Sequence, residues 1–316
     1  MTARTLALAA SVAFTALGAR ADYPDHPVRI VVPFAAGSGT DVVARATAGA
    51  IAKRTKAPVS VENRAGANGI TGTAAVAKAA PDGYTLLLTG SAFTLAPYSR
   101  KTPTYDPLKD FVPVARIAVV PLVVVTSAKS PYKTFDELVA AMRQNPAKVR
   151  YATSGKGTVS HLEVELVNHH FKVQAQDHAY PSDTDALAAT VAGEVDFVLA
   201  SYPLAERQIN SGALRALALG SSARLATRPE VPTLAEVMRR PGYEASAWFG
   251  MLAPRGLPVD VITRLEEEVE LELEVPEVRE KIERVGARPA FLRSAPFGGQ
   301  LGYEYRKWAL VTKAMQ

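Results

Sequence analysis

No cysteine occurs anywhere in the 316 residues. Disulfides, thiolate metal sites and thiol nucleophiles are therefore excluded, and the fold must rest on apolar cores alone. The lipoprotein route, which acylates a cysteine after a signal segment, is excluded with them. Charge of one sign is also scarce. Lys and Arg number 36 against 31 Asp and Glu, a net +5, and no basic run exceeds two residues. That scatter argues against a nucleic-acid partner and leaves at most a mild preference for anionic ligands. Beyond the amino terminus no apolar run approaches the ~18 residues that would suggest a membrane span. Nucleotide and hydrolase signatures are missing as well. There is no G-x-x-x-x-G-K-[ST] loop, Gly37-Ser38-Gly39 has no third glycine at G-x-G-x-x-G spacing, and no G-x-S-x-G elbow occurs. His161, His169 and His170 lack H-E-x-x-H spacing, so neither a metal nor any other cofactor is expected. The acidic run Glu266, Glu267, Glu268, Glu270, Glu272 and Glu274 reads as a solvated helix face, with Leu265, Val269 and Leu273 on its buried side.

The amino terminus carries the clearest local signal. Arg4 precedes an apolar run from Leu6 to Gly18, and Ala19-Arg20-Ala21 is a small-x-small cleavage site. This is the layout of a secretory signal peptide over residues 1–21, with a run too short to cross a bilayer. The mature protein is expected in the periplasm.

After residue 21, short β-rich runs alternate with helical ones. Val28–Val32 reads as a buried strand and Val42–Thr55 as a helix capped by Thr40 and Asp41. Val59–Val61, a helix over 70–80 and a strand over 84–88 follow. Phe111 to Ser127 is a long β-branched stretch interrupted by Pro121. A second series has strands near 149–152, 176–180, 195–200, 214–219 and 243–252, helices ending at Phe171 and near 184–192, and three helices after Pro258. Strands alternating with helices imply α/β architecture with parallel sheets, in which ligands sit beyond the carboxyl ends of strands. Two loops meet that description, one in each series: Phe34 to Asp41 and Thr153 to His161. Both are rich in Gly, Ser and Thr. Glycine lets the backbone approach a ligand, and free N–H groups at a helix start favour an anion. The same composition also suits two ordinary strand-to-helix turns.

Pro33-Phe34-Ala35-Ala36-Gly37-Ser38-Gly39-Thr40-Asp41 resembles the first ligand loop of the Bug-type binding proteins of tripartite tricarboxylate transporters. The resemblance runs on in order through Val61-Glu62-Asn63-Arg64, Pro81-Asp82-Gly83-Tyr84, Tyr105-Asp106-Pro107, Tyr151-Ala152-Thr153-Ser154-Gly155, Gly157-Thr158, His161-Leu162, Gly193-Glu194-Val195-Asp196, Val231-Pro232-Thr233 and Trp248-Phe249-Gly250. It implies a type II periplasmic binding fold: two α/β lobes, joined by two crossover segments, with a ligand cleft between them. Residues 22–122 and 247–316 would form the first lobe and 123–246 the second, with hinges near 123–126 and 245–248. The resemblance implies no catalysis, a monomer, a small carboxylate ligand, and membrane permease subunits as partners. Carried onto this chain, it puts Phe34, Ala36, Gly37, Ser38, Gly39, Thr40 and Asp41 at the ligand from one side. Ser154, Gly155, Lys156, Gly157, Thr158 and His161 would face them, Lys156 adding positive charge and His161 supporting its loop.

Departures from the family pattern soften the expected cleft. Pro181 stands where a backbone donor is usual, and Ala189, Ala200 and Ala96 replace commoner polar residues. Ser91, Phe93, Ser201 and Tyr202 complete the expected lining, the two aromatics favouring an aromatic or weakly polar ligand. Two other functions use the same residues: a sensor presenting bound solute to a membrane histidine kinase, and a hydrolase built on Ser154 or Ser160 with His161.

Overall fold

The computed structural model describes residues 23–99 and 102–314; the expected signal peptide lies outside them. The first lobe starts with β1 (Val28–Val32), α1 (Gly39–Thr55), β2 (Val59–Asn63), α2 (Ile70–Val76), β3 (Thr85–Gly90) and the short α3 (Ala92–Leu95). β4 (Phe111–Ser127) then leaves it. The second lobe holds α4 (Phe135–Gln144), β5 (Arg150–Thr153), α5 (Val159–Phe171), β6 (Gln176–Ala179), α6 (Asp183–Ala192), β7 (Phe197–Ser201), α7 (Tyr202–Asn210), β8 (Leu214–Leu219) and α8 (Leu234–Val237). β9 (Ser246–Pro254) returns to the first lobe, followed by α9 (Val259–Glu272), α10 (Pro276–Arg284), β10 (Arg288–Arg293) and α11 (Ser294–Ala314).

β4 is the spine. Its first part, through Pro121, pairs with β9 and β10; from Leu122 onward it pairs with β7 and β8. The sheet runs β2-β1-β3-β9-β4-β7-β5-β6, with β8 and β10 also on β4. The sequence suggests a break at Pro121, yet the strand continues through it. Proline lacks an N–H, and here the residue falls where β4 changes partners, so no ladder donor is lost from within either half. At the same point the second crossover is knitted in: Leu122 donates to Ala245, Gly220 to Leu122, and Ala245 to Gly220. A Cβ on Gly220 would stand 2.0 Å from the Ala245 carbonyl oxygen, so only glycine allows this crossing.

Each half-sheet is covered on both faces. In the first lobe Ile30, Val32, Leu86 and Leu88 pack with Val43 and Ile51 of α1 and with Leu265, Val269 and Ile282 of α9 and α10. Val31 and Leu87 point the other way, into an aromatic cluster with Phe93, Phe111, Trp248 and Phe297. This is strand alternation with both faces buried. In the second lobe Tyr151, Phe197 and Leu199 meet Leu138 and Met142 of α4 and Leu162 and Leu166 of α5, while Val123, Val125 and Val198 meet α6 and α7. α11 spans both lobes: Phe297 and Leu301 belong to the first, whereas Trp308 and Val311 pack into the second against α5.

The sequence reading omits α3, α4, α7, α8 and β10. The omission of α4 was avoidable, because Thr134 and Glu137 form a capping box at its start. The acidic stripe of α9 is a correction. Glu266, Glu268 and Glu272 are buried, not solvated. Glu266 accepts from the Ser294 amide at 2.6 Å, and Glu268 from Arg54 of α1 at 2.6 Å. The stripe lies under α1 and the start of α11, which no local pattern reveals.

Candidate functional site

Strand directions decide where the loops open. β4 runs out of the first lobe into the second. β9 is antiparallel to β4, β3 to β9, and β1 is parallel to β3, so β1 and β3 also run toward the second lobe. β7 is antiparallel to β4 and ends with Ser201 opposite Leu122, at the junction; β5 is parallel to β7. The carboxyl ends of β1, β3, β5 and β7 therefore all open at the junction, two from each lobe. The loop after β1 and the loop after β5 approach it from opposite sides.

The first loop is held by Asp41, 3% exposed. One carboxylate oxygen accepts from the Gly37 amide at 2.9 Å and from Arg45 Nε at 3.0 Å; the other accepts from Asn63 Nδ2 at 2.9 Å. Asn63 also donates to the Phe34 carbonyl oxygen at 3.1 Å, and its own oxygen accepts from Arg45 at 2.9 Å. Burial alone would raise the Asp41 pKa. Arg45, the Gly37 amide and Asn63 outweigh it and hold the carboxyl below the usual carboxylate range. The cap expected at Thr40 lies two residues earlier: α1 begins at Gly39 and Ser38 caps it, its hydroxyl accepting from the Asp41 amide, while Thr40 and Asp41 belong to the first turn. The amides of Gly39 and Thr40, at N1 and N2, have no acceptor within the helix by construction.

The second loop repeats the plan. Gly37 and Gly157 both have φ +81, followed by an N-cap, Ser38 or Thr158, and three residues further on by the side chain that reaches back. In the second loop that side chain is His161, whose Nδ1 accepts from the Gly157 amide at 3.3 Å. Thr158 Oγ1 donates to the Gly155 carbonyl oxygen at 2.8 Å and accepts from the His161 amide. Thr153 donates to Asp177 of β6 at 2.8 Å and accepts from the Gly155 amide at 3.2 Å. Each loop thus presents a capped helix start toward the junction, where oriented amides and the helix dipole suit an anion.

Placement of the expected residues is uneven. Ala36, Gly37, Lys156 and Gly157 are exposed, and Phe34, Ser38, Gly39, Ser154, Gly155, Thr158 and Ser201 are half-buried, all in loops at the junction. Asp41 and His161 are buried beneath their loops, and Thr40 is 7% exposed. Ser91 follows β3 at the junction, but its hydroxyl accepts from the Trp248 amide at 3.0 Å. Phe93 is a correction. It is 1% exposed, its ring within 5.1 Å of Phe111 and 5.7 Å of Tyr105, so it belongs to the aromatic core and lines nothing. One turn of α3 rotates it away from the junction. Tyr202 is likewise packed into the second-lobe core beside Ala205 and Ile209. Neither expected aromatic is therefore available to a ligand at the junction. Besides Phe34 in the first loop itself, half-buried Phe249 of β9 adjoins it, lying against Gly39 and Gly90. Arg45 and Asn63 were also missed as site builders. The Asp41/Arg45 spacing of four was a legible helical ion pair; the Asn63 contact required the β1–β2 register, which aligns Val32 with Asn63.

Among the described residues no three His, Cys, Asp or Glu side chains group as a metal site, and no helix is long and apolar enough to cross a membrane.

Comparison with known proteins identifies the family. The model of the tripartite tricarboxylate transporter family receptor matches residues 43–298. Protein BugT of Bordetella pertussis is 36% identical, the alignment covering 92% of this chain and 90% of BugT. The crystal structure of a TctC solute binding protein from Polaromonas, without ligand, superposes with a TM-score of 0.85 at 26% identity, covering 92% of this chain and 99% of that one. MatC from Rhodopseudomonas palustris with bound malate gives 0.66 at 31% identity, covering 92% and 100%. The expected two-lobed α/β fold is the one these structures have. With sequence and fold in agreement along nearly its whole length, the chain belongs to the tripartite tricarboxylate transporter receptor family, and is a solute-binding receptor rather than an enzyme.

Proposed function

We propose that this receptor captures a small aliphatic carboxylate at the lobe junction, outside the cytoplasm, and delivers it to the membrane subunits of a tripartite transporter. One observation carries the ligand class: two capped helix starts, one per lobe, open toward the same junction with amides that their own helices cannot satisfy. A dicarboxylate offers one anionic end to each. Malate in the related MatC fits that chemistry. Phe93 and Tyr202 sit in the cores, so neither speaks for an aromatic ligand. The ligand-binding residues on this reading are the exposed and half-buried positions 34–39, 154–158 and 201, with buried Thr40 offering its backbone amide and Asp41 and His161 holding the loops from behind. The higher TM-score against the ligand-free relative than against the malate-bound one, despite lower identity, fits a structure in its ligand-free arrangement. Contact with both lobes then requires hinge closure where the two crossovers meet, about Leu122 and Ala245.

Isothermal titration of the mature protein with malate, with its diamide as the uncharged control, tests the ligand class. Malate is expected to bind and the diamide not to. Equal binding of both, or binding of neither malate nor any other aliphatic dicarboxylate, would sink it. The transport role is tested by co-purification with the permease subunits in the presence of ligand.

A further inference from the structure

Asp41 and His161 occupy the same place in two loops of the same design, but they differ in one chemical respect. A carboxylate remains an acceptor down to strongly acid pH. A neutral imidazole has one N–H and one lone pair, and protonation turns both nitrogens into donors. The Gly157 amide can only donate, so its bond to His161 Nδ1 places the imidazole proton on Nε2 and requires the neutral ring. We propose that His161 is a positioning residue that gates the second anion loop by pH: its neutral form holds Gly157 in place, and a single proton releases that loop while the first stays set.

The surroundings of the ring fit this role. His161 is 2% exposed on the first turn of α5. Burial lowers its pKa; Asp177 of β6 and Glu165, one turn on along α5, pull it back up, and Lys156 in the loop pushes down again. Tyr151 of β5 faces the ring at 6.4 Å between centroids and ties up Glu165 by a 2.6 Å hydrogen bond. No carboxylate contacts the imidazole directly, so none compensates the lost acceptor. The first loop has its carboxylate clamped by Arg45 and Asn63, which makes Gly37 an internal control.

The consequence for binding rests on the proposed carboxylate site. If His161 served instead as a cationic ligand group, acid would strengthen anion binding; as a loop-positioning acceptor, acid weakens it. The two roles predict opposite signs.

The deciding experiment needs no ligand. Amide exchange of Gly157 and Gly37 is followed by NMR in the mature protein from pH 7.5 to 4.5, corrected for intrinsic exchange, alongside the ¹⁵N shifts of His161. The expected result is an Nε2–H tautomer at neutral pH. Gly157 protection should then fall at least tenfold as the ring titrates, with Gly37 unchanged. In His161→Asn, whose amide oxygen can accept at the Nδ1 position at every pH, Gly157 protection should stay flat. Flat protection in the wild type while the ring titrates, a ring that does not titrate in this range, or an Nδ1–H tautomer would each overturn the proposal. Malate affinity measured at the same pH values adds the functional arm: a loss with acid in the wild type that His161→Asn lacks. If malate does not bind at all, the carboxylate reading falls while exchange still decides the gate.

Discussion

A buried carboxylate stays charged only where donors surround it, and Asp41 has three: the Gly37 amide, Arg45 and Asn63. Asp41→Ala frees all three at once. Malate affinity is expected to fall at least tenfold, about 1.4 kcal/mol, and folding stability by about 1–3 kcal/mol; calorimetry and urea unfolding check the two separately. Glu272 is the opposite case. It is fully buried, neither of its oxygens has a hydrogen-bond partner, and burial pushes its pKa up to about 8. The folded protein therefore keeps this proton where the unfolded chain, near 4.5, has released it. Stability from this group is full below about pH 4.5 and declines as pH rises through 8. Glu272→Gln should remove that decline, stabilising the protein at pH 8.5 by roughly 1–3 kcal/mol and little at pH 4.5. Thermal unfolding at the two pH values tests it.

Elements are joined across the lobes by more than the two strands. Lys307 of α11 and Glu163 of α5 form a buried ion pair at 2.5 Å, and Tyr243 of the second crossover also donates to Glu163. Nearby, Glu304 accepts from Trp248 Nε1 at 2.9 Å and from Thr94 at 3.2 Å, fixing α11 to the first lobe. α11 is thus pinned to both halves. Lys307→Met leaves Glu163 buried without its cation, and a loss of 3–5 kcal/mol, on the order expected for a broken buried pair, should appear in urea unfolding. Gly220→Ala tests the crossover itself. Its Cβ cannot fit beside the Ala245 carbonyl oxygen, so the strand crossing must shift. The expected outcome is a lower melting temperature together with weaker malate binding. Gly193→Ala, at a helix end with open space around it, gives a φ-strain control that should leave binding unchanged.

At the scale of the whole molecule, capture and closure are one event. If ligand touches both lobes, saturating malate should reduce the radius of gyration measured by small-angle scattering, and an Asp41→Ala variant at the same malate concentration should close less. At a hundred times Kd the ligand should also add about 2.7 kcal/mol to stability, read as a rise in melting temperature. Unchanged scattering at saturation would mean that binding involves one lobe alone.

Much of this molecule is written locally. The alternating apolar strands, the two glycine turns and the strand-to-helix order are set by side-chain periodicity and backbone preference over a few residues. They were legible, and so were the family and the two loops. What required the fold were contacts between residues distant in sequence. Asn63 reaches Asp41 because β1 and β2 pair in one register. Phe93 turns into the core because the aromatic cluster of Phe111, Trp248 and Phe297 takes it. Glu272 is buried because α1 lies over α9, and α11 ends in the second lobe because Trp308 finds its pocket there. Local chemistry determined which loops could grip an anion; long-range packing decided which side chains hold those loops and which never reach the gap.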